Sequence, residues 1–229
     1  FPLTLPPGFS IGIFAKGLGK PRVIVKDPAG GLLVSIPSQG RVVSLPDENN
    51  DGVTDRVVTV VEKLNKPHGM VAHCGTECVL VIAESHRVAR YRYDTKTRKA
   101  TFETKLFDLP DDGGHSTRTL LAHPDGVQLL ISVGSSCNVC IEKDARRAKI
   151  LALDFPGSAF DEPIEFARGL RNTVFMATHP VTGEVWGTDM GRDLLGDDTP
   201  PDEINILQKG KNYGWPICYG NNIHDTDFD

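Results

Sequence analysis

Apolar runs of strand length punctuate the chain, separated by clusters of Gly, Pro, Asn and Asp. They fall at residues 22–26, 31–35, 41–45, 57–61, 79–83, 88–93, 129–133, 149–153, 174–177 and 184–188. Many alternate apolar with polar positions, the period of two that a half-buried strand requires. No long window keeps the 3.6-residue apolar period of a capped helix. The pattern predicts an all-β protein of short antiparallel strands.

One hairpin recurs. Asp27-Pro28-Ala29-Gly30-Gly31-Leu32-Leu33-Val34 is echoed by His123-Pro124-Asp125-Gly126-Val127-Gln128-Leu129-Leu130-Ile131 and by His179-Pro180-Val181-Thr182-Gly183-Glu184-Val185-Trp186. A looser copy runs from Val71 to Ala83. Each is a strand, a Pro/Gly turn and a second strand, at a spacing of roughly 45 to 55 residues, which suits four-stranded propeller blades. A β-sandwich has regular turn signals but no such recurring hairpin. At ~45 residues per blade the chain holds about five. Residues 221–229 offer no closing strand, so the expectation is a single propeller domain over residues 1–229 whose ring is incomplete.

Composition narrows the partners. The chain has 229 residues, a net charge of −5 and a pI near 5.8. Its basic residues are scattered, so no nucleic-acid partner is expected. No apolar run approaches the ~18 residues of a spanning helix, so no membrane span is expected. The first residue is Phe, which suits removal of a signal peptide or a trimmed chain. Cys74 and Cys78 flank the hairpin tip Gly75-Thr76-Glu77, where a small-loop disulfide is feasible. Cys137-Asn138-Val139-Cys140 can be a disulfide, a metal half-site or a redox pair. Two disulfides with Cys218 left over is the expected count, and it implies an oxidising compartment, periplasmic or extracellular.

Five motifs stand in order on this β-repeat background: Leu5-Pro6-Pro7-Gly8-Phe9, Pro67-His68-Gly69, Gly114-His115-Ser116-Thr117-Arg118, Gly134-Ser135-Ser136-Cys137-Asn138 and Gly169-Leu170-Arg171-Asn172. With them the sequence resembles the glucose/sorbosone dehydrogenase family, soluble six-bladed β-propellers that use pyrroloquinoline quinone (PQQ). It looks closest to the sorbosone-dehydrogenase-like branch. The resemblance runs from Leu5 almost to the end and implies a six-bladed propeller, present here as about four to five blades.

Oxidising an alcohol or hydrated aldehyde needs a base for the hydroxyl proton, and histidine has the pKa for it near neutrality. The resemblance assigns that role to His115. Glucose-oxidising relatives orient this histidine with an Asp; the matching position here is Ser135, which can hydrogen-bond an imidazole but cannot stabilise imidazolium by charge. Arg171 and Asn172 are implied to hold the quinone, whose three carboxylates suit a planar, bidentate guanidinium. His68 stands where those relatives place a glutamine that contacts substrate or quinone. The backbone carbonyls of Gly191 and Arg192 are implied to bind a calcium bridging to PQQ, since calcium accepts backbone oxygens. Asp202 and Glu203, with Tyr213 nearby, match a further calcium site; a solvated acidic turn is the equal alternative. The stretch from Asp47 to Asp55 has alternating oxygen ligands around Gly52 but lacks the twelfth ligand and flanking helices of an EF-hand, so a hairpin turn is expected there. His86, His123 and His179 recur at turns and are expected to be structural.

The leading expectation is therefore a PQQ- and calcium-dependent dehydrogenase of a sugar or sugar-derived aldehyde, passing electrons to an external acceptor such as a cytochrome. No GxGxxG follows a strand and opens a helix, so no nicotinamide site is expected. The rivals are a non-catalytic glycan- or protein-binding propeller and a calcium-dependent lactonase-type hydrolase. The latter needs acidic metal ligands on the axis, where the motifs here supply His, Arg and Asn.

Overall fold

Each predicted run pairs antiparallel with its neighbour in sequence. The computed structural model describes residues 3–155 and 162–228. Blade 1 is β1 (Val23–Lys26), β2 (Leu32–Ile36), β3 (Arg41–Leu45) and β4 (Val58–Val61). Blade 2 is β5 (Met70–Cys74), β6 (Cys78–Ala83), β7 (Arg87–Asp94) and β8 (Lys99–Asp108). Blade 3 is β9 (Leu120–Ala122), β10 (Gln128–Val133), β11 (Lys149–Asp154) and β12 (Ile164–Arg168). Blade 4 has β13 (Thr173–Thr178), β14 (Val185–Asp189) and β15 (Glu203–Leu207). A ribbon of β16 (Cys218–Tyr219) and β17 (Ile223–His224) follows, in a tail where no strand was expected. Among the described residues no helix is long and apolar enough to cross a membrane.

The blades stack face to face, and each gap between them is a separate apolar core. Leu33 and Val42 of blade 1 pack on Leu80, Ile82 and Tyr91 of blade 2. Val81 and Val88 of blade 2 meet Leu129, Ile131 and Leu151 of blade 3. Leu130 and Ile150 of blade 3 meet Met176, Val185 and Leu207 of blade 4. Alternate residues of β6 and β10 thus face opposite gaps, which is why these strands read as continuous apolar runs. A residue pointing to either side finds another blade. This is an all-β, propeller-like arrangement of four blades.

Blades 1 and 2 are also joined by a buried polar knot. Arg98, in the β7–β8 turn, donates to the Asp27 carboxylate at 2.9 Å and to the carbonyls of Ala29 and Gly30. Tyr93 Oη donates to the same carboxylate at 2.8 Å, as does Ser44 Oγ. The Asp27 hairpin motif is thus buried beneath the turn of the next blade.

The first strand of every blade lies innermost: β1, β5, β9 and β13 line a common cavity of about 380 Å³. Lys20, Arg22, Lys66, His68, Ser116 and Thr117, which lie just before β1, β5 and β9, line a second cavity of about 390 Å³. The N-terminal ends of the inner strands therefore meet on one face. The segments after β2, β10 and β14 return to that face because those strands run antiparallel to the inner ones. The loop motifs, dispersed in sequence, collect there for this topological reason.

Candidate active site

His115 is half-buried in the loop before β9. Its Nδ1 lies 2.9 Å from the Ser135 carbonyl oxygen and 3.0 Å from Ser135 Oγ. A carbonyl only accepts, so Nδ1 carries the proton and Nε2 keeps its lone pair. Ser135 Oγ donates onward to the Cys137 carbonyl at 2.7 Å. Burial lowers the His115 pKa below its usual 6.5, against the Ser135 hydrogen bond, which raises it. The ring is therefore neutral at neutral pH, with its base nitrogen free.

Two buried guanidiniums hold this loop. Arg118 donates to the carbonyls of His115, Thr117 and Pro110 at 2.9, 2.7 and 2.6 Å. Arg147 reaches the carbonyls of Gly134 and Pro110 and the Asp112 carboxylate. Burial first, then the nearby Arg147 charge, push the Arg118 pKa down to about 10.

Arg171 and Asn172 precede β13 and sit in the same network. The Arg171 carbonyl accepts the Ser135 N–H at 2.8 Å, and Asn172 Oδ1 accepts the Thr117 hydroxyl at 3.3 Å. The Asp189 carboxylate receives the N–H groups of both residues at 3.0 Å and the Thr173 hydroxyl at 2.8 Å. Burial pushes Asp189 up to about 7, opposed by the Thr173 hydrogen bond and reinforced by facing Glu203. The Arg171 guanidinium is itself buried. It grips the Asn138 carbonyl and Oδ1, each at 2.9 Å, the Gly191 carbonyl at 2.7 Å and Asp193 at 3.0 Å.

That last arrangement bears on the expected calcium. The Gly191 carbonyl is already engaged by a cation, and a dication on the same oxygen would face the guanidinium. Arg192 turns its side chain to buried Asp225, 2.7 Å away. Asp202 Oδ1 accepts the Gly191 N–H at 3.0 Å. Glu203, expected in a turn, opens β15, with its carboxylate on the Gly220 N–H and the Asn205 amide. The Tyr213 hydroxyl closes its own loop on the Ile206 carbonyl. Asp202, Glu203 and Tyr213 thus each carry at least one internal hydrogen bond.

His68 is 2% exposed, and neither ring nitrogen makes a hydrogen bond of good geometry, although the Arg118 backbone carbonyl lies close enough to favour its protonation. Burial, then the charge of Arg22, push its pKa down to about 4. The folded state thus keeps His68 neutral while the unfolded chain protonates it near 6.5. Its contribution to stability is full above pH 6.5 and is lost as pH falls toward 4, by up to about 3 kcal/mol. Denaturant melts of wild type and His68→Gln across that range should diverge in this sense; parallel curves would refute it.

Gly134 lies where side chains cross. A Cβ there would stand 2.6 Å from Asn172 Oδ1 and 2.8 Å from His115 Cβ. Gly134→Ala should therefore displace both residues and cost about 1–3 kcal/mol as an overpacked site, read by thermal melting alongside quinone affinity.

The other singled-out features settle locally. Cys74–Cys78 and Cys137–Cys140 are disulfides, and Cys218 is free. In the 47–55 loop, Asp47 accepts the N–H groups of Asp51 and Gly52, and Asp55 accepts that of Glu48, as in a self-capped turn. His123 and His179 accept turn N–H groups through Nδ1. Asn138, which ends the fourth motif, and Asp189 hold Arg171 and Asn172, a role the sequence did not assign to either. The signal for Asp189 was its register: Val185, Gly187 and Asp189 are the buried positions of β14.

A propeller whose polar loops converge above its inner strands is of the class that carries its chemistry on those loops. The chain belongs to the TrAA12-like family, whose sequence profile matches residues 3–227. It is 29% identical over 246 residues to a pyrroloquinoline quinone-dependent sugar dehydrogenase of Hypocrea jecorina, covering 93% of this chain and 56% of that protein. A calcium structure of the Trichoderma reesei Carbohydrate-Active Enzymes Family AA12 protein superposes with a TM-score of 0.77 at 27% identity, covering 90% of this chain and 58% of that one. The PQQ-bound aldose sugar dehydrogenase of Streptomyces coelicolor shares the fold, with a TM-score of 0.68 at 21% identity, over 93% of this chain and 68% of that one. The chain thus spans less than three fifths of the length of the Hypocrea and Trichoderma relatives.

Proposed function

We propose that this protein oxidises a sugar or sugar-derived aldehyde, sorbosone-like or an aldose, with PQQ as the hydride acceptor. The observation that carries the reading is His115: its Nδ1 is fixed as a donor by the Ser135 carbonyl, and its Nε2 is free. Ser116 and Thr117 of the same loop line the 390 Å³ cavity, and the Thr117 hydroxyl reaches Asn172. When bound, the quinone supplies the two-electron acceptor that a propeller of ordinary side chains lacks.

The residues suit such a group. His68 lines the cavity, and Lys20, Arg22 and Lys66 line it with charges a polycarboxylate would take up. In the reaction His115 Nε2 accepts the substrate hydroxyl proton while the Ser135 carbonyl holds the other nitrogen. His68 and Asn172 orient the substrate and the quinone. Asp189 fixes the backbone of Arg171 and Asn172, so their side chains are preorganised. The Gly191 carbonyl is engaged by the Arg171 guanidinium, and no step is assigned to calcium. The two disulfides favour an oxidising, extracytoplasmic compartment, and the electrons would leave to an external acceptor.

The test is reconstitution with PQQ, with and without calcium, followed by reduction of a redox dye on a panel of aldoses and osones. Quinone absorbance bound to the protein and sugar-dependent dye reduction are expected. Carbohydrate affinity without turnover would replace this reading with that of a glycan-binding propeller.

A further inference from the structure

The Cys137–Cys140 disulfide has no part in the chemistry assigned above, yet it stands between His115 and Arg171. Residues 134–148 form the loop from β10 to β11, and the two cysteines close a small ring around Asn138 and Val139. On one side, Ser135 holds His115 Nδ1, and the Ser135 hydroxyl donates to the Cys137 carbonyl at 2.7 Å. On the other, Asn138 accepts two bonds from Arg171, one through its carbonyl and one through Oδ1. Its Oδ1 also takes the Asp193 N–H at 2.7 Å, and its amide donates to the Asp193 carbonyl at 3.0 Å. A single disulfide-closed turn therefore holds the loops of both residues.

Glu142 ties the same turn to the His115 loop. Its carboxylate accepts the Ser136 N–H and the Ser136 hydroxyl, each at 2.7 Å, and the Ser136 carbonyl accepts the Gly114 N–H at 2.8 Å. Gly113 approaches so closely that a Cβ on it would lie 2.6 Å from the Ser136 carbonyl oxygen. Cys140 Sγ lies 3.9 Å from Glu142 Oε1 and 3.8 Å from Ser136 Oγ. A disulfide sulfur has no proton to donate, so it does not compete with Ser136 for the carboxylate. A thiol there would, and a carboxylate beside it favours the protonated thiol over the thiolate. Reduction thus has two effects. It opens the ring, which returns backbone freedom to Asn138, and it gives Glu142 a competing donor. Both cysteines are partly exposed, so a small dithiol reaches them.

We propose that the Cys137–Cys140 disulfide is a redox-sensitive positioning element of the site. Closed, it holds Ser135 and Asn138 where His115 and Arg171 need them; opened by a dithiol, it loosens both loops and lowers turnover. In the opening step a thiolate of the dithiol attacks one sulfur, forming a mixed disulfide and releasing the other cysteine, which takes up a proton. The second thiol of the reagent then displaces the remaining cysteine. Two electrons and two protons pass to the protein, and the reagent leaves as its own disulfide. The cysteines are positioning residues, acting through Ser135, Asn138 and Glu142. The inference rests on the reading of His115 and Arg171 as parts of a sugar-oxidising site, and it adds a means of regulating that site.

The test starts from the double variant Cys74→Ser, Cys78→Ser. That disulfide joins the far ends of β5 and β6, so its loss should leave kcat within twofold of wild type, and dithiothreitol then has only Cys137–Cys140 to open. Amide hydrogen exchange is followed by NMR on the PQQ-free protein before reduction, after it and after reoxidation. The N–H groups of Gly114, Ser136 and Asp193 should exchange about tenfold faster or more on reduction, and recover on reoxidation. Gly114 and Asp193 lie on other loops, so a merely local role for the disulfide would not move them. In the PQQ-loaded protein, freed of dithiothreitol because it reduces the dye, kcat should fall about tenfold to a hundredfold. Cys137→Ser, Cys140→Ser should show the same fall without any reductant; where that variant does not fold, the reduced protein decides. Exchange at these amides within twofold of the oxidised protein, or an active enzyme whose kcat ignores the opening, overturns the proposal. Failure of the dehydrogenase reading looks different: no dye reduction with any sugar in either redox state, while exchange still follows the disulfide.

Discussion

Replacing His115 with alanine is expected to lower kcat by about 10²–10⁴-fold, the usual contribution of a positioned general base. The quinone affinity should change far less, because the residues that face the quinone in the proposed reading lie before β5 and β13. The measurement is steady-state dye reduction by the PQQ-loaded protein, with quinone absorbance as the binding control. A loss under tenfold would remove His115 from the role of base. Its pH dependence has a definite sign. Burial holds the His115 pKa below 6.5, so the neutral, active form persists above that value. Activity should be lost as pH falls through a midpoint lower than 6.5. Ser135→Ala should cost much less than His115→Ala, since the backbone carbonyl at 2.9 Å still fixes the tautomer.

The second large effect is on stability. Asp27→Ala removes the carboxylate at the centre of the knot between blades 1 and 2. Arg98 would be left buried without a carboxylate, keeping the carbonyls of Ala29 and Gly30 and the Ser44 hydroxyl, and the Tyr93 and Ser44 hydroxyls would lose their acceptor. Breaking a buried pair from one side costs about 3–5 kcal/mol, which for a domain of this size lowers Tm by roughly 10 °C. Removing both partners with apolar residues should recover part of the loss, because no charge is then stranded. A drop under about 1 kcal/mol in denaturant melts of Asp27→Ala would show that the pair behaves as a surface ion pair.

These two expectations differ in how far they could be seen beforehand. The ten apolar runs all became strands, because the gaps between blades bury them and burial selects Val, Ile and Leu. Among the strands outside those runs, β8, β12 and β15 expose much of their length. Solvent places little demand on such residues, so the periodic signal fades. Likewise His115, Arg171 and Asn172 stood out as unusual loop residues, while Asn138 and Asp189 did not. Asn138 meets Arg171 across 33 residues of sequence, and Asp189 meets it across 18. No local spacing encodes such a meeting.

The sequence by itself determined the all-β class and the blade repeat, and it marked the feasible disulfide pairs and the loop motifs, since each follows from local periodicity, turn residues or motif order. Only the tertiary structure decided what those residues have available. It freed Nε2 of His115 by engaging its other nitrogen, buried both nitrogens of His68, and engaged the Gly191 carbonyl with Arg171. The physical reason is that hydrogen-bond capacity is finite and is allotted among neighbours in space, which a linear chain does not display.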